Sequence, residues 1–258
     1  MQQVLILNKQ VGETPLECMN RFKSGHPEYR DQKMTYAGRL DPMAEGVLLV
    51  LVGEMVHRKE EFLKLPKTYE CVAILGVETD TYDVLGLPAL WQDSTPNPSS
   101  WQEEGNRASE LLKSFIGTFS QKYPPYSSKT INGKQMHSLA RSGELNNLEI
   151  PEQVVTVKNI SNINIESISS ENFLDEITQN IDKVTGDFRQ ETIKNHWKLL
   201  LESKMDQKIT LLKFTIEVSG GTYIRGIVHE LGQRLAKGAC ILRLKRIQVG
   251  DKTLDNCI

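Results

Sequence analysis

Asp41 stands inside Gly38-Arg39-Leu40-Asp41-Pro42-Met43-Ala44-Glu45-Gly46, directly ahead of an apolar run at residues 47–52. A carboxylate can act as a nucleophile that adds covalently and leaves again. The chain holds this one on a turn: Gly38 and Gly46 let the backbone come close to itself or to a ligand, while Pro42 fixes φ just after the Asp and removes one amide donor. An ordinary Asp-Pro turn opening a strand has the same composition, so this segment alone leaves both readings open. An Asp-nucleophile hydrolase is disfavoured, because no second Asp stands two residues on and no phosphate-cradling Gly loop is present. Cys18, Cys71, Cys240 and Cys257 are scattered without a Cys-x-x-Cys pair or a His cluster, which indicates neither a zinc site nor a disulfide framework.

The elements that must position Asp41 read as an α+β chain with a mixed, mostly antiparallel central sheet and flanking helices. Residues 4–7, 47–52, 69–75, 154–160, 209–218 and 241–249 are β-branched or leucine-rich runs bounded by Gly, Pro or Asn. Residues 107–116 and 225–236 have helical apolar spacing, the latter with Ile227, Leu231 and Leu235 four apart. Residues 88–106, with Pro88, Pro96, Pro98 and Gly105 among polar residues, are expected to form a surface loop. In residues 169–207, Ser170 is expected to cap a helix carrying Phe173, Ile177 and Ile181. Thr185-Gly186 turns the chain, and a second helix carries Ile193, Trp197 and Leu201. The expected result is a helical hairpin laid on the domain by its apolar faces.

Five ordered motifs carry a family resemblance. Leu7-Asn8-Lys9-Gln10-Val11-Gly12-Glu13-Thr14, Gly38-Arg39-Leu40-Asp41-Pro42, and Lys67-Thr68-Tyr69 with Thr79-Asp80-Thr81 are followed by Tyr123-Pro124-Pro125-Tyr126-Ser127-Ser128 with Asn132-Gly133-Lys134. Gly221-Thr222-Tyr223-Ile224-Arg225 comes last, and Leu244-Lys245-Arg246 closes the series. Together they resemble the TruB family of pseudouridine synthases over roughly residues 4–157 and 210–250. The resemblance implies one pseudouridine synthase catalytic domain over residues 1–258, with an RNA-gripping insertion at about 121–151. It implies isomerisation of uridine to pseudouridine at position 55 in the tRNA T-loop, without cofactor or metal, by a protein acting as a monomer on the T-arm. A pseudouridine synthase with another RNA target and a non-catalytic tRNA chaperone are the competing readings.

That reaction breaks the bond from N1 to C1′ and makes one from C5 to C1′, so it needs a nucleophile, a cation and a pocket in which the free uracil turns. By resemblance the catalytic residues are Asp41, Arg225 and Tyr69. Asp41 attacks C6 of the base or C1′ of the ribose, and Arg225 supplies a charge-assisted, often bidentate hydrogen bond to the ionised carboxylate. A cation at a helix N-terminus is otherwise disfavoured without an acidic partner. Tyr69 packs on the extruded uracil, Tyr223 borders the pocket and Leu244 is an apolar wall. Lys9, in the opening motif, is grouped with the substrate-binding residues.

The chain departs from the family's commonest pattern at several places. Tyr36 stands where the family usually has a His that stacks in the space left by the departing base; stacking survives and imidazole hydrogen bonding does not. Arg39 stands where a small or aliphatic residue is usual, which puts a second cation near Asp41. The hairpin of residues 169–207 replaces a direct strand connection. The sequence ends at Ile258, which leaves no room for the C-terminal PUA domain of bacterial relatives, so placement of the tRNA is expected to fall to the catalytic domain and to an insertion that behaves as a mobile loop ordering on RNA.

Composition is that of an ordinary globular chain: 258 residues, 39% hydrophobic, with no apolar run near the roughly 20 residues of a membrane span and no signal-peptide pattern. A cytoplasmic location is expected, with no membrane partner. The net charge of −2, from 31 basic and 33 acidic residues, does not advertise an RNA partner. Lys122, Lys129, Lys134 and Arg141, with no acid among residues 122–141, and a basic stripe over residues 225–252 are the candidate phosphate-binding surfaces.

Overall fold

Residues 47–52 are buried along their whole length because both faces of their strand are covered, Leu48, Val50 and Val52 in one apolar cluster and Val47, Leu49 and Leu51 in another. The computed structural model describes residues 3–90, 101–202 and 208–258. In chain order these form β1 (Gln3–Lys9), α1 (Pro15–Gly25), β2 (Met34–Ala37), β3 (Ala44–Val52), α2 (Lys59–Leu63), β4 (Lys67–Leu75), β5 (Val77–Thr79), β6 (Pro88–Leu90), α3 (Trp101–Lys113) and β7 (Gly117–Lys122). Then come β8 (Thr130–Ile131), β9 (Lys134–Gln135), α4 (Met136–Arg141), β10 (Glu152–Ser169), α5 (Ser170–Asp182), α6 (Gln190–Glu202), β11 (Lys208–Val218), α7 (Ile224–Leu235), β12 (Ala239–Val249) and β13 (Lys252–Thr253). The six predicted strands lie inside β1, β3, β4, β10, β11 and β12.

The main sheet runs β1-β3-β12-β4-β11-β10-β7, with β2 added to β3 and β13 to β12. Among the described strands of this sheet, β12 pairs with β3 in parallel and the other pairings are antiparallel. Alternating side chains send the strands' residues to two faces. Cys71, Ala73 and Leu75 of β4 and Leu212, Phe214 and Ile216 of β11 join α3 and α7 in one core. Ile74, Leu211, Cys240 and Leu242 point the other way, into a core shared with α5 and α6. Trp197 anchors the hairpin there: it is fully buried, its ring lies 5.3 Å from Phe173 in an edge contact, and its Nε1 donates to Val84 O at 3.1 Å. Truncating such an anchor costs roughly 3–5 kcal/mol.

At three places the structure departs from the local expectations. Helix α1 was not anticipated, although Thr14-Pro15-Leu16-Glu17 forms a capping box in which Thr14 Oγ1 accepts from Glu17 N at 3.2 Å and Glu17 Oε2 accepts from Thr14 N at 2.6 Å. The cap of α5 is Ser169, which accepts from Asn172 N at 3.2 Å, one residue before the Ser expected. Residues 88–106 are not a continuous loop: Pro88 begins an edge strand, α3 spans Trp101–Lys113, and residues 91–100 lie outside the described residues. Gly105 lies within α3, where a Cβ would come within 2.5 Å of Ile165 on β10, so it marks close packing where the sequence suggested a break. The insertion after β7 carries its own apolar cluster of Met136, Leu139 and Leu145. Residues 203–207, at the end of the expected hairpin, also lie outside the described residues.

Candidate active site

The Asp41 turn hangs over a gap in the sheet. Along one edge of β3, residues 49–52 pair with β2, and residues 44–46 pair instead with β12. Residues 38–43 span the place where one partner gives way to the other. The fully buried Arg246 fills that wedge, donating from Nε to Val47 O at 2.7 Å and from its two terminal nitrogens to Arg39 O at 3.2 Å and Gly38 O at 3.1 Å. The equally buried Lys9 donates to Gln10 O at 3.0 Å, Pro42 O at 3.3 Å and Ala44 O at 2.5 Å. Gly46, at φ +105°, is needed because a Cβ there would collide with the Arg246 carbonyl. Burial pulls Lys9 down to about 8, so with three carbonyls around it the side chain is spent on the backbone of the turn.

Held this way, Asp41 meets Arg225 from the first turn of α7. Arg225 Nε donates to Asp41 Oδ2 at 2.7 Å and a terminal nitrogen to Oδ1 at 3.2 Å, a bidentate fork. The other terminal nitrogen donates to Thr81 O. Asp83 lies on the far side, its Oδ2 3.6 Å from Arg225 Nε and its Oδ1 accepting from Thr81 Oγ1 at 2.8 Å and Leu85 N at 3.0 Å. The Arg225 side chain is 4% exposed and that of Asp41 37%, so the cation is sealed behind a carboxylate that faces outward. Burial opposes the Arg225 charge, but Asp41 and Asp83 outweigh it and hold the guanidinium above its ordinary range. Burial raises Asp83 to about 6 against the pull of Arg225.

Asp41 opens into a cleft of about 980 Å³. Tyr36, Arg39, Tyr69, Tyr223, Arg225 and Leu244 line it with Asp41, so seven of the eight sequence-predicted site residues come together. Tyr69 is buried on β4, Leu244 is buried beside Ala44, and Tyr223 meets Tyr123 at 5.7 Å in an edge contact. Gln121 fixes Tyr223 by pairing with both its backbone N and its O at 2.9 Å. Burial pushes the Tyr223 phenol up to about 12. Tyr36 stands with the Lys59 ammonium 5.4 Å from its ring centroid. Arg39 is exposed on the same cleft and makes no ion pair with Asp41, leaving Arg225 as the direct partner. Lys9 is the residue the structure sets apart: it supports the turn and does not line the cleft.

The charge problem resolves locally. Among the charged residues lining the cleft, Arg39, Lys59, Lys64, Arg141 and Arg189 are not buried, against Asp41, Glu60 and Asp187, five cations to three carboxylates on a chain of net charge −2. Most of the C-terminal basic stripe is buried or paired. Arg225 and Arg246 are buried, while Arg234, Lys237, Arg243 and Lys252 pair with Glu230, Glu104, Glu176 and Asp251. Sequence reasoning missed Asp83, two residues past the Thr-Asp-Thr motif, and the clamping role of Arg246. An ionisable residue in a turn that closes a strand was the available signal for the first; nothing local marks the second. Among the described residues, no group of three or more His, Cys, Asp or Glu side chains is arranged to hold a metal ion.

This geometry can be set beside known proteins. Residues 27–182 match the model of the TruB family pseudouridylate synthase (N terminal domain). The chain is similar to tRNA pseudouridine synthase B of Aquifex aeolicus, 24% identical over all of this chain and 72% of that protein, and to tRNA pseudouridine synthase B of Chlamydia abortus, 31% identical over 88% of this chain and 75% of that one. The fold is also that of a chain in a crystal structure of a Cbf5-Nop10-Gar1 complex, with a TM-score of 0.53 at 19% identity over 96% of this chain; this chain spans about half the length of that one, 48%. The site sets a carboxylate on a clamped turn, with an arginine fork behind it and aromatic residues along the cleft. The chain belongs to the TruB family and is a pseudouridine synthase acting on RNA.

Proposed function

We propose that this chain isomerises the T-loop uridine at position 55 of tRNA, with Asp41 as the nucleophile. The single observation that carries the assignment of Asp41 is its bidentate pairing with the sealed Arg225, which leaves the carboxylate turned toward the cleft. The name shared by the relatives supports tRNA as the substrate.

The target uridine leaves its stack at a cost of a few kcal/mol and enters between Tyr69, Tyr223 and Leu244. Asp41 adds to C6 of the base or to C1′ of the ribose, and the N1–C1′ bond breaks. The uracil, still held by the pocket walls, turns to present C5, and the C5–C1′ bond forms. In the C1′ route C5 displaces the carboxylate as that bond forms, and in the C6 route the carboxylate leaves C6 afterwards; the proton lost from C5 is matched by one taken up at N1, which gives pseudouridine and regenerates Asp41. No electrons are gained or lost. Arg225 keeps the carboxylate oriented throughout, because its fork fits two oxygens while its third donor is anchored on Thr81 O. Tyr36 stacks in the space the base has left, with Lys59 beside it for a phosphate.

Tritium release from tRNA carrying 5-tritiated uridine, followed by mapping of the product position, tests this reading. Pseudouridine elsewhere in RNA would retain the chemistry and change the target. Binding without release would favour the chaperone reading.

A further inference from the structure

The turn between α5 and α6 reaches the cleft. Asp187, Phe188 and Arg189 line it together with Asp41. The turn is rigidly built: Gln190 accepts from Phe188 N at 2.9 Å and donates to Val184 O at 2.9 Å and Gly186 O at 2.7 Å. Arg189 has φ +63°, a conformation that L side chains rarely adopt. Its guanidinium lies 2.9 Å from Asp80 Oδ2 and 5.2 Å from the Tyr126 ring centroid. Tyr126 OH donates to that same Oδ2 at 3.0 Å, and Asp80 Oδ1 accepts from Leu87 N at 2.8 Å. Alongside, Arg141 at the end of α4 donates to Asp187 O at 2.9 Å and sits 6.0 Å from the Phe188 ring centroid. The turn also meets the opposite wall, where Thr185 donates to the Glu17 carboxylate and Lys183 packs on Gly12.

The hairpin's stability is accounted for by Phe173, Ile177 and Trp197 in the core. The Arg189–Asp80 pair, with side chains 27% and 31% exposed, adds little to it. Its content is geometric: Asp80 joins the hairpin, the RNA-gripping insertion and the turn at residues 79–83, which carries Asp83 and the Thr81 carbonyl bound by Arg225.

We propose that Arg189 is a positioning residue for the reaction on RNA: through Asp80 and Tyr126 it latches the insertion of residues 123–150 against the turn that supports Arg225, so that substrate meets a cleft already formed. This rests on the reading of the cleft as the RNA site. The test compares the full chain with its Arg189→Ala and Arg189→Lys variants by amide hydrogen exchange of residues 123–150 without RNA, by thermal midpoint, and by kcat and KM for tritium release from tRNA. For Arg189→Ala the latch predicts faster exchange at an unchanged midpoint, with KM raised about tenfold and kcat within about twofold. Arg189→Lys recovers part of both, since it keeps the charge and loses the planar stacking. Unchanged exchange and KM, or a kcat loss that tracks a lowered midpoint, overturns the proposal. If the parent chain itself releases no tritium, the functional reading fails and the exchange measurement still decides the latch.

Discussion

Arg225 and Asp41, 184 residues apart in the chain, share two hydrogen bonds of 2.7 and 3.2 Å, with the arginine sealed in the protein and the aspartate turned to the cleft. The arrangement depends on β12 replacing β2 beside β3: the gap so created frees the Asp41 turn, and Arg246 and Lys9 hold its carbonyls from within. Arg225 in turn comes from a helix whose first residues are fixed by Gln121 on the far side of the sheet order. Strand order, more than any local motif, brings the two together.

Arg225→Lys is therefore not a conservative change. One ammonium cannot reproduce the fork or also reach Thr81 O. We expect kcat to fall about a hundredfold, from loss of roughly 2–3 kcal/mol of charge-assisted bonding, with a smaller change in RNA affinity. Single-turnover kinetics beside a binding titration would show it, and near wild-type turnover would instead make the exposed Arg39 the functional partner of Asp41.

Tyr36→Phe should be tolerated and Tyr36→Ala should not. Base–aromatic stacking is worth about 1–3 kcal/mol, so the alanine variant should lose roughly five- to hundredfold in kcat/KM on folded tRNA. Equal activity of the two variants would remove Tyr36 from the base-extrusion step.

Arg246→Met tests the clamp on the turn. The substitution fills most of the volume but strips donors from one buried and two part-buried carbonyls, and we expect a loss of roughly 3 kcal/mol in denaturant unfolding. Hydrogen exchange should rise at residues 38–43 before it does in the core of β3. A variant as stable as the parent, with the turn equally protected, would contradict the account.

Asp83 gives the site a pH dependence. Burial raises its carboxyl to about 6 from the usual 3.8. A carboxyl with a raised folded pKa adds stability that is fully present below its unfolded value and is lost as pH rises through about 6. Ionised Asp83 therefore weakens the fold while supplying the second anion beside Arg225. Wild-type kcat/KM should fall as pH drops below about 6, and the non-titrating Asp83→Asn should lack that limb while its stability no longer declines between about pH 4 and about pH 6. An unchanged acid limb in the variant would assign it to another group.

What the sequence made legible follows from range. Strand runs and the i, i+4 stripes of Phe173–Ile177–Ile181 and Ile193–Trp197–Leu201 are local patterns; the runs fall inside strands and both stripes are buried. Asp41, Tyr69, Tyr223, Arg225 and Leu244 were found as motif residues and converge on one cleft. Gly105 misled because a glycine within a helix and a glycine in a loop look alike until Ile165 is seen against it. Lys9 was grouped with substrate and Arg246 only closed a motif, because their acceptors are carbonyls brought near by the β3–β12 pairing. The basic stripe was over-read for the same reason: its partners Glu104 and Glu176 lie on α3 and α5.

The central claim is that Asp41 is the nucleophile, and the most direct measurement is tritium release from 5-tritiated tRNA by Asp41→Asn beside the parent chain, with RNA affinity determined on the same preparations. The amide is isosteric but neither charged nor nucleophilic, so the account predicts no release above background with affinity within a few fold of the parent. Appreciable turnover by Asp41→Asn would contradict it.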